Sequence, residues 1–111
     1  MGYSVNLFGA KIFIDSKDAM TALTALNEGC APELHYGVIM AGRWGFEADK
    51  NGNIIRIEFN GEKGRDDSEL KPLAPFVRDG SFVEMSGEDG ARWRWAFKGG
   101  KVIVKDAKMT W

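Results

Sequence analysis

The chain has 111 residues, one cysteine, 44% hydrophobic and 28% charged residues, and a formal net charge of -1 from 15 basic and 16 acidic side chains. That describes one domain able to bury a core without disulfides or metal, and it excludes a disordered chain, a disulfide-stapled fold and a molecule drawn onto polyanions by its overall field. No apolar run is long enough to span a bilayer and no charged-then-apolar leader precedes Gly2, so a cytoplasmic protein is expected.

Tyr3 to Ile14 reads as a first strand, with Val5, Leu7, Ile12 and Ile14 inward and Gly9 as a bend or bulge. Asp15 or Ser16 then caps a helix whose Ala19, Ala22, Leu23 and Leu26 form one apolar stripe, closed by Gly29. Residues 30–42 carry Pro32, Gly37 and Gly42 around Leu34, Tyr36, Val38 and Ile39, a pattern that fits either a buried loop or a short strand.

Trp44, Phe46 and Ala48 alternate with Gly45, Glu47 and Asp49, and Asn51-Gly52 turns the chain into Ile54 to Asn60, with Ile55, Ile57 and Phe59 on one face. A charged connector, Gly61 to Glu69, leads to a second helix capped at Asp67-Ser68, with Leu70, Leu73, Phe76 and Val77 at helical spacing. Pro72 is tolerated in its first turn, whereas Pro75 makes it short and irregular before Gly80. Residues 81–105 specify a β-meander with turns at Glu88-Asp89-Gly90 and Gly99-Gly100.

The stretch from Asn53 to Lys63 matches Ala91 to Lys101 in pattern, placing Gly52 on Gly90, Arg56 on Arg94, Phe59 on Phe97 and Gly61 on Gly99. The expected fold is a single α+β domain over residues 1–111. One mostly antiparallel sheet carries two helices on one face, in the order β-α-ββ-α-βββ, either with an internal αββ repeat or with two hairpins of convergent turn chemistry.

Catalytic patterns are weak. A nucleophile-base pair would have to use His35, the one histidine, with Cys30, and these residues read better as a loop side chain and a small buried hydrophobe. A structural zinc site lacks ligands and spacing, Glu88-Asp89 and Asp66-Asp67 suit turns and caps, and no phosphate-binding glycine motif occurs. Asp49-Lys50-Asn51-Gly52-Asn53 opens like a calcium loop but has no closing glutamate. Neither cofactor, metal nor catalytic residue is expected.

Arg92-Trp93-Arg94-Trp95-Ala96-Phe97-Lys98 interleaves basic and aromatic residues, as single-stranded nucleic-acid platforms do. Strand alternation nevertheless places Trp93, Trp95 and Phe97 on one face, read as core together with Trp44 and Phe59. Arg92, Arg94 and Lys98 then lie on a solvated outer face beside Arg56. Set against Glu47, Glu58 and Glu84, that face offers cross-strand ion pairs or a polar contact surface. The candidate binding residues are Arg56, Arg92, Arg94, Lys98, Glu58 and Glu84.

The run Leu73-Ala74-Pro75-Phe76-Val77, Gly80-Ser81-Phe82-Val83-Glu84-Met85, Gly87-Glu88-Asp89-Gly90 and Trp93-Arg94-Trp95, with Trp111, resembles a group of small, functionally unassigned proteins of bacterial and phage genomes. The opening Gly2-Tyr3-Ser4-Val5 with Leu7-Phe8-Gly9 shares the resemblance more loosely. It implies a compact accessory protein and supplies no site residue. By analogy with toxin immunity and anti-CRISPR proteins, the expected function is a non-enzymatic factor that binds another protein and inhibits it. The alternative is a nucleic-acid-binding module using Arg56, Arg92, Arg94 and Lys98, which the net charge of -1 disfavours at physiological salt. No membrane partner is expected.

Overall fold

The alternating segment after Ser4 forms strand β1 (Val5–Lys11), and Asp15 precedes helix α1 (Ser16–Leu26), whose stripe of Ala19, Ala22 and Leu23 is buried. Four strands follow: β2 (Glu33–His35), β3 (Val38–Ala41), β4 (Trp44–Ala48) and β5 (Ile54–Phe59). The second helix is a single 3₁₀ segment (Lys71–Phe76), Pro72 in its first turn and Pro75 inside, as the prolines require. The meander β6 (Phe82–Gly87), β7 (Arg92–Lys98) and β8 (Lys101–Asp106) completes the order. The computed structural model describes residues 5–59, 67–87 and 90–106. The expected strand start at Tyr3, most of the charged connector, Asp66, Glu88-Asp89, the Asn60 to Lys63 part of the repeat and Trp111 lie outside the described residues.

The α+β class and the antiparallel pairing are as expected, but the strands divide between two sheets instead of forming one. The order β1-β6-β7-β8 makes sheet A and β2-β3-β4-β5 makes sheet B. Residues 30–42, which fitted loop or strand, supply β2 and β3 and so extend the first hairpin into a complete meander. Among the described residues no strand of one sheet pairs with a strand of the other, and the segment that follows β1 links them. There Ile14 exchanges N–H to C=O bonds of 3.1 and 2.9 Å with Ile54, and it also bridges Val77.

The turns of the β4–β5 and β6–β7 hairpins are bonded in the same way at their ends. Gly52 donates to the Asp49 carbonyl and Gly90 to that of Gly87, both at 3.0 Å, while Asp49 donates to Asn53 and Gly87 to Ala91, both at 2.8 Å. Gly52 and Gly90 adopt φ of 87° and 88°, the left-handed region that side chains disfavour. The two then diverge. Ala48 pairs with Ile54 but Glu47 with Arg56, so Ile55 is an extra residue in β5, whereas β6 and β7 pair without a shift.

One core serves both sheets and both helices. Trp44, Phe46, Trp93, Trp95 and Phe97 are buried with Ile14, Leu23, Leu70 and Leu73, and Phe59 packs against them half-buried. Trp44 of sheet B meets Trp95 of sheet A edge-on, centroids 5.9 Å apart and planes at 81°, and contacts Phe59 at 4.8 Å. The aromatic residues assigned inward thus lie where strand alternation puts them. A radius of gyration of 13.5 Å is that of a compact single domain, about 13 Å for a chain of this size. Among the described residues no helix is long and apolar enough to cross a membrane.

Candidate binding surfaces

Residues directly opposite one another on antiparallel strands share a face. The register therefore assembles the outer face of sheet A in rows: Asn6, Ser86 and Arg92; Gly9, Glu84, Arg94 and Lys105; Lys11, Phe82, Ala96 and Ile103; and Lys98 with Lys101. A bulge between Leu7 and Gly9 re-aims Phe8 onto the same face, where the Arg92 guanidinium lies 4.2 Å from its ring centroid. Arg94 bonds the carboxylate of Glu84 directly opposite it, and its guanidinium lies 4.3 Å from the Phe82 centroid. Glu84 is buried at 9% exposure, whereas Phe8 and Ile103 are exposed at 56% and 55%.

Of the six candidate residues, Arg92, Arg94, Lys98 and Glu84 thus come together. Arg56 and Glu58 do not join them, because β5 belongs to sheet B. They line a groove of about 250 Å³ between β1 and β5 together with Leu7, Ala10, Ile12 and Ile57. The expectation that Arg56 would stand beside Arg92 and Arg94 fails because the two matching strands lie in separate sheets. Lys11, Lys101 and Lys105 complete the basic face. The sequence pattern within β7 alone did not reveal them, since their membership depends on which strands flank β6 and β7.

A second surface was not legible. The β2–β3 hairpin turns through Tyr36 and Gly37, with φ of 49° and 84°. Two positive φ values in a two-residue loop are the demand of a tight hairpin turn that asparagine-glycine meets best. Tyrosine there is strained and wholly exposed, and Leu34 in β2 is 71% exposed. Strain of this kind costs about 1–3 kcal/mol and gathers at functional positions.

Asp49 organises its turn by accepting bonds from the Asn51 and Asn53 amides at 2.8 and 3.0 Å and from Asn53 Nδ2 at 3.2 Å, and Asn53 Oδ1 accepts the Ser16 N–H at the start of α1 at 2.9 Å. Desolvation pushes the Asp49 carboxyl up, but the bonds from Asn53, Asn51 and Gly52 prevail and hold it below its ordinary value. A depressed folded pKa stabilises above the unfolded value of 3.8 and loses that contribution as pH falls through the folded one. The acid unfolding midpoint is therefore expected to shift to higher pH in Asp49→Ala, with the difference in melting temperature between the two proteins shrinking below about pH 4. An unchanged acid limb would remove the turn from the acid response.

Cys30, expected to be buried, is exposed. Its N–H bonds the Asn27 carbonyl and its carbonyl accepts Asn27 Nδ2, which fixes it in the turn leaving α1. His35 is not in a loop but in β2, opposite Val38. Among the described residues no group of three or more His, Cys, Asp and Glu is placed to hold a metal ion. No protein-family model matches the chain, and comparison with curated proteins and with solved structures finds no significant match.

Proposed function

We propose that this chain is a non-enzymatic protein-binding factor of the inhibitor or immunity type, acting in the cytoplasm by docking on a single protein partner. The reading rests on the β2–β3 hairpin. Its tip holds tyrosine in a left-handed conformation that asparagine would occupy with less strain, and presents that ring and Leu34 to solvent instead of to the core. Tyrosine is a preferred interface anchor because a rigid ring brings large contact area with little rotamer entropy to lose. The resemblance to small bacterial and phage accessory proteins fits a toxin-immunity or anti-CRISPR role.

Tyr36→Asn is expected to raise stability by about 1 kcal/mol, read as a higher melting temperature, because it supplies the residue the turn prefers. The same change is expected to remove partner binding. A photoreactive side chain at position 36, expressed in the native host, should crosslink one protein in an adduct that competes with unlabelled wild-type chain but not with the Tyr36→Asn, Leu34→Thr double variant. A stabilised variant that still competes as well as wild type would overturn the assignment.

A further inference from the structure

We infer that the outer face of sheet A is a binding face for single-stranded nucleic acid. This is independent of the hairpin surface and departs from what the net charge of -1 led to. The structure segregates charge. Lys11, Arg92, Arg94, Lys98, Lys101 and Lys105 share one uncovered sheet face, and the carboxylate on its rows is Glu84, already bonded to Arg94. In a chain with a slight acidic excess, the rest of the molecule must then be acidic, so the face presents a local positive field that the total conceals.

Register gives the second argument. Lys98 stands directly opposite Lys101, and Arg94 opposite Lys105. Like charges at directly opposed positions destabilise a sheet, and nothing in the packing of the outer face requires them. Lysines on β8 could serve to discourage edge pairing, but Arg92, Arg94 and Lys98 lie on β7, an interior strand with no free edge to protect. Opposed cations make sense where a polyanion lies between them.

The third argument concerns the kind of polyanion. Protein interfaces deplete lysine and gather apolar anchors at their centre, whereas here the Glu84 and Arg94 pair holds the centre, with Phe82, Ala96 and Ile103 in the adjoining row and Lys11, Lys98, Lys101 and Lys105 around them. Phe8 and Phe82 each have a guanidinium over the ring, and Phe8 remains 56% exposed. A basic groundwork with exposed aromatic and guanidinium planes is how sheet platforms hold unstacked bases without reading sequence. Duplexes keep their bases inside and would use the charge alone.

The experiment is fluorescence anisotropy with labelled oligo(dT) and oligo(U) of about 20 nucleotides, a duplex of equal length, polyglutamate and phosphatidylserine vesicles. At about 50 mM salt the single strands are expected to bind with micromolar affinity, falling as salt rises, and each lysine changed to alanine should reduce the log-log salt slope by about 0.7. Phe8→Ala is expected to weaken single-strand binding about tenfold while leaving the duplex nearly unaffected. Lys101→Glu should raise the melting temperature by relieving Lys98, yet abolish binding, which separates the effect from unfolding. Tyr36→Asn should bind oligonucleotide normally. Absence of single-strand binding at about 50 mM salt, equal affinity for polyglutamate with no Phe8 effect, or binding to vesicles alone would each overturn the inference.

Discussion

Trp95→Ala is expected to lower the stability of this domain by about 3–5 kcal/mol, the loss typical of a large aromatic side chain removed from a packed core. Trp95 is 1% exposed, touches Trp44 edge-on across the boundary between the sheets, and donates from Nε1 to the Asp67 carbonyl at 2.9 Å. Its removal opens a cavity between sheets A and B and releases the start of the segment that carries the 3₁₀ helix. Since roughly 4 °C of melting temperature accompanies each kcal/mol in a domain of this size, the drop should exceed 10 °C by calorimetry. Trp95→Phe, which fills most of the space but donates nothing to Asp67, should lose about 1–2 kcal/mol. A melting temperature unchanged in Trp95→Ala, with binding lost, would mean that the ring faces a ligand instead of the core.

Glu69→Ala is the second large effect, about 2–4 kcal/mol. The Glu69 carboxylate accepts both the Nε and Nη2 protons of Arg43 at 2.6 Å, in the two-pronged geometry that makes arginine-carboxylate pairs strong, and also the Trp44 Nε1 proton at 3.0 Å. Side-chain exposures of 19% and 18% place the pair between surface and interior. Removal of Glu69 takes this carboxylate from a largely desolvated guanidinium that lies 4.8 Å from the Phe59 ring centroid. Glu69→Gln keeps an acceptor for Trp44 and should lose about half as much, and Arg43→Ala combined with Glu69→Ala should cost clearly less than the two changes summed. Additive losses in that cycle would show that the two side chains act separately.

The parts of the fold governed by local rules were legible, except that the bulge in β5 leaves Ile55 41% exposed and buries Ile54 instead, against the expected face of Ile55, Ile57 and Phe59. Glycine at Gly52 and Gly90 marked both turns, and strand alternation sorted Trp93, Trp95 and Phe97 from Arg92, Arg94 and Lys98 without any knowledge of the partner strands. Pro75 foretold an irregular second helix. What depended on distant pairing was not legible. Arg43 and Glu69 are 26 residues apart with no spacing rule to connect them, and the split into two sheets follows from β1 choosing β6. The β2–β3 hairpin escaped notice because its strands have three and four residues and its turn carries tyrosine where asparagine is the usual signal. For the candidate site, alternation identified half of the basic face, and register was needed for the rest and for the exclusion of Arg56 and Glu58.

The division of the sheets also sets an order of events during synthesis. Sheet B is continuous in sequence, so β2 to β5 can pair as they emerge, and Ile14 can close on Ile54 as soon as that residue is available. Sheet A cannot begin with β1, whose partner β6 is made far later and carries its register from Val5–Gly87 to Lys11–Phe82. Until then β1 is a waiting strand with an apolar face, tethered beside a finished meander. Contacts so distant along the chain slow folding and prolong exposure, so the apolar face of β1 is the one that waits longest for its partner strand.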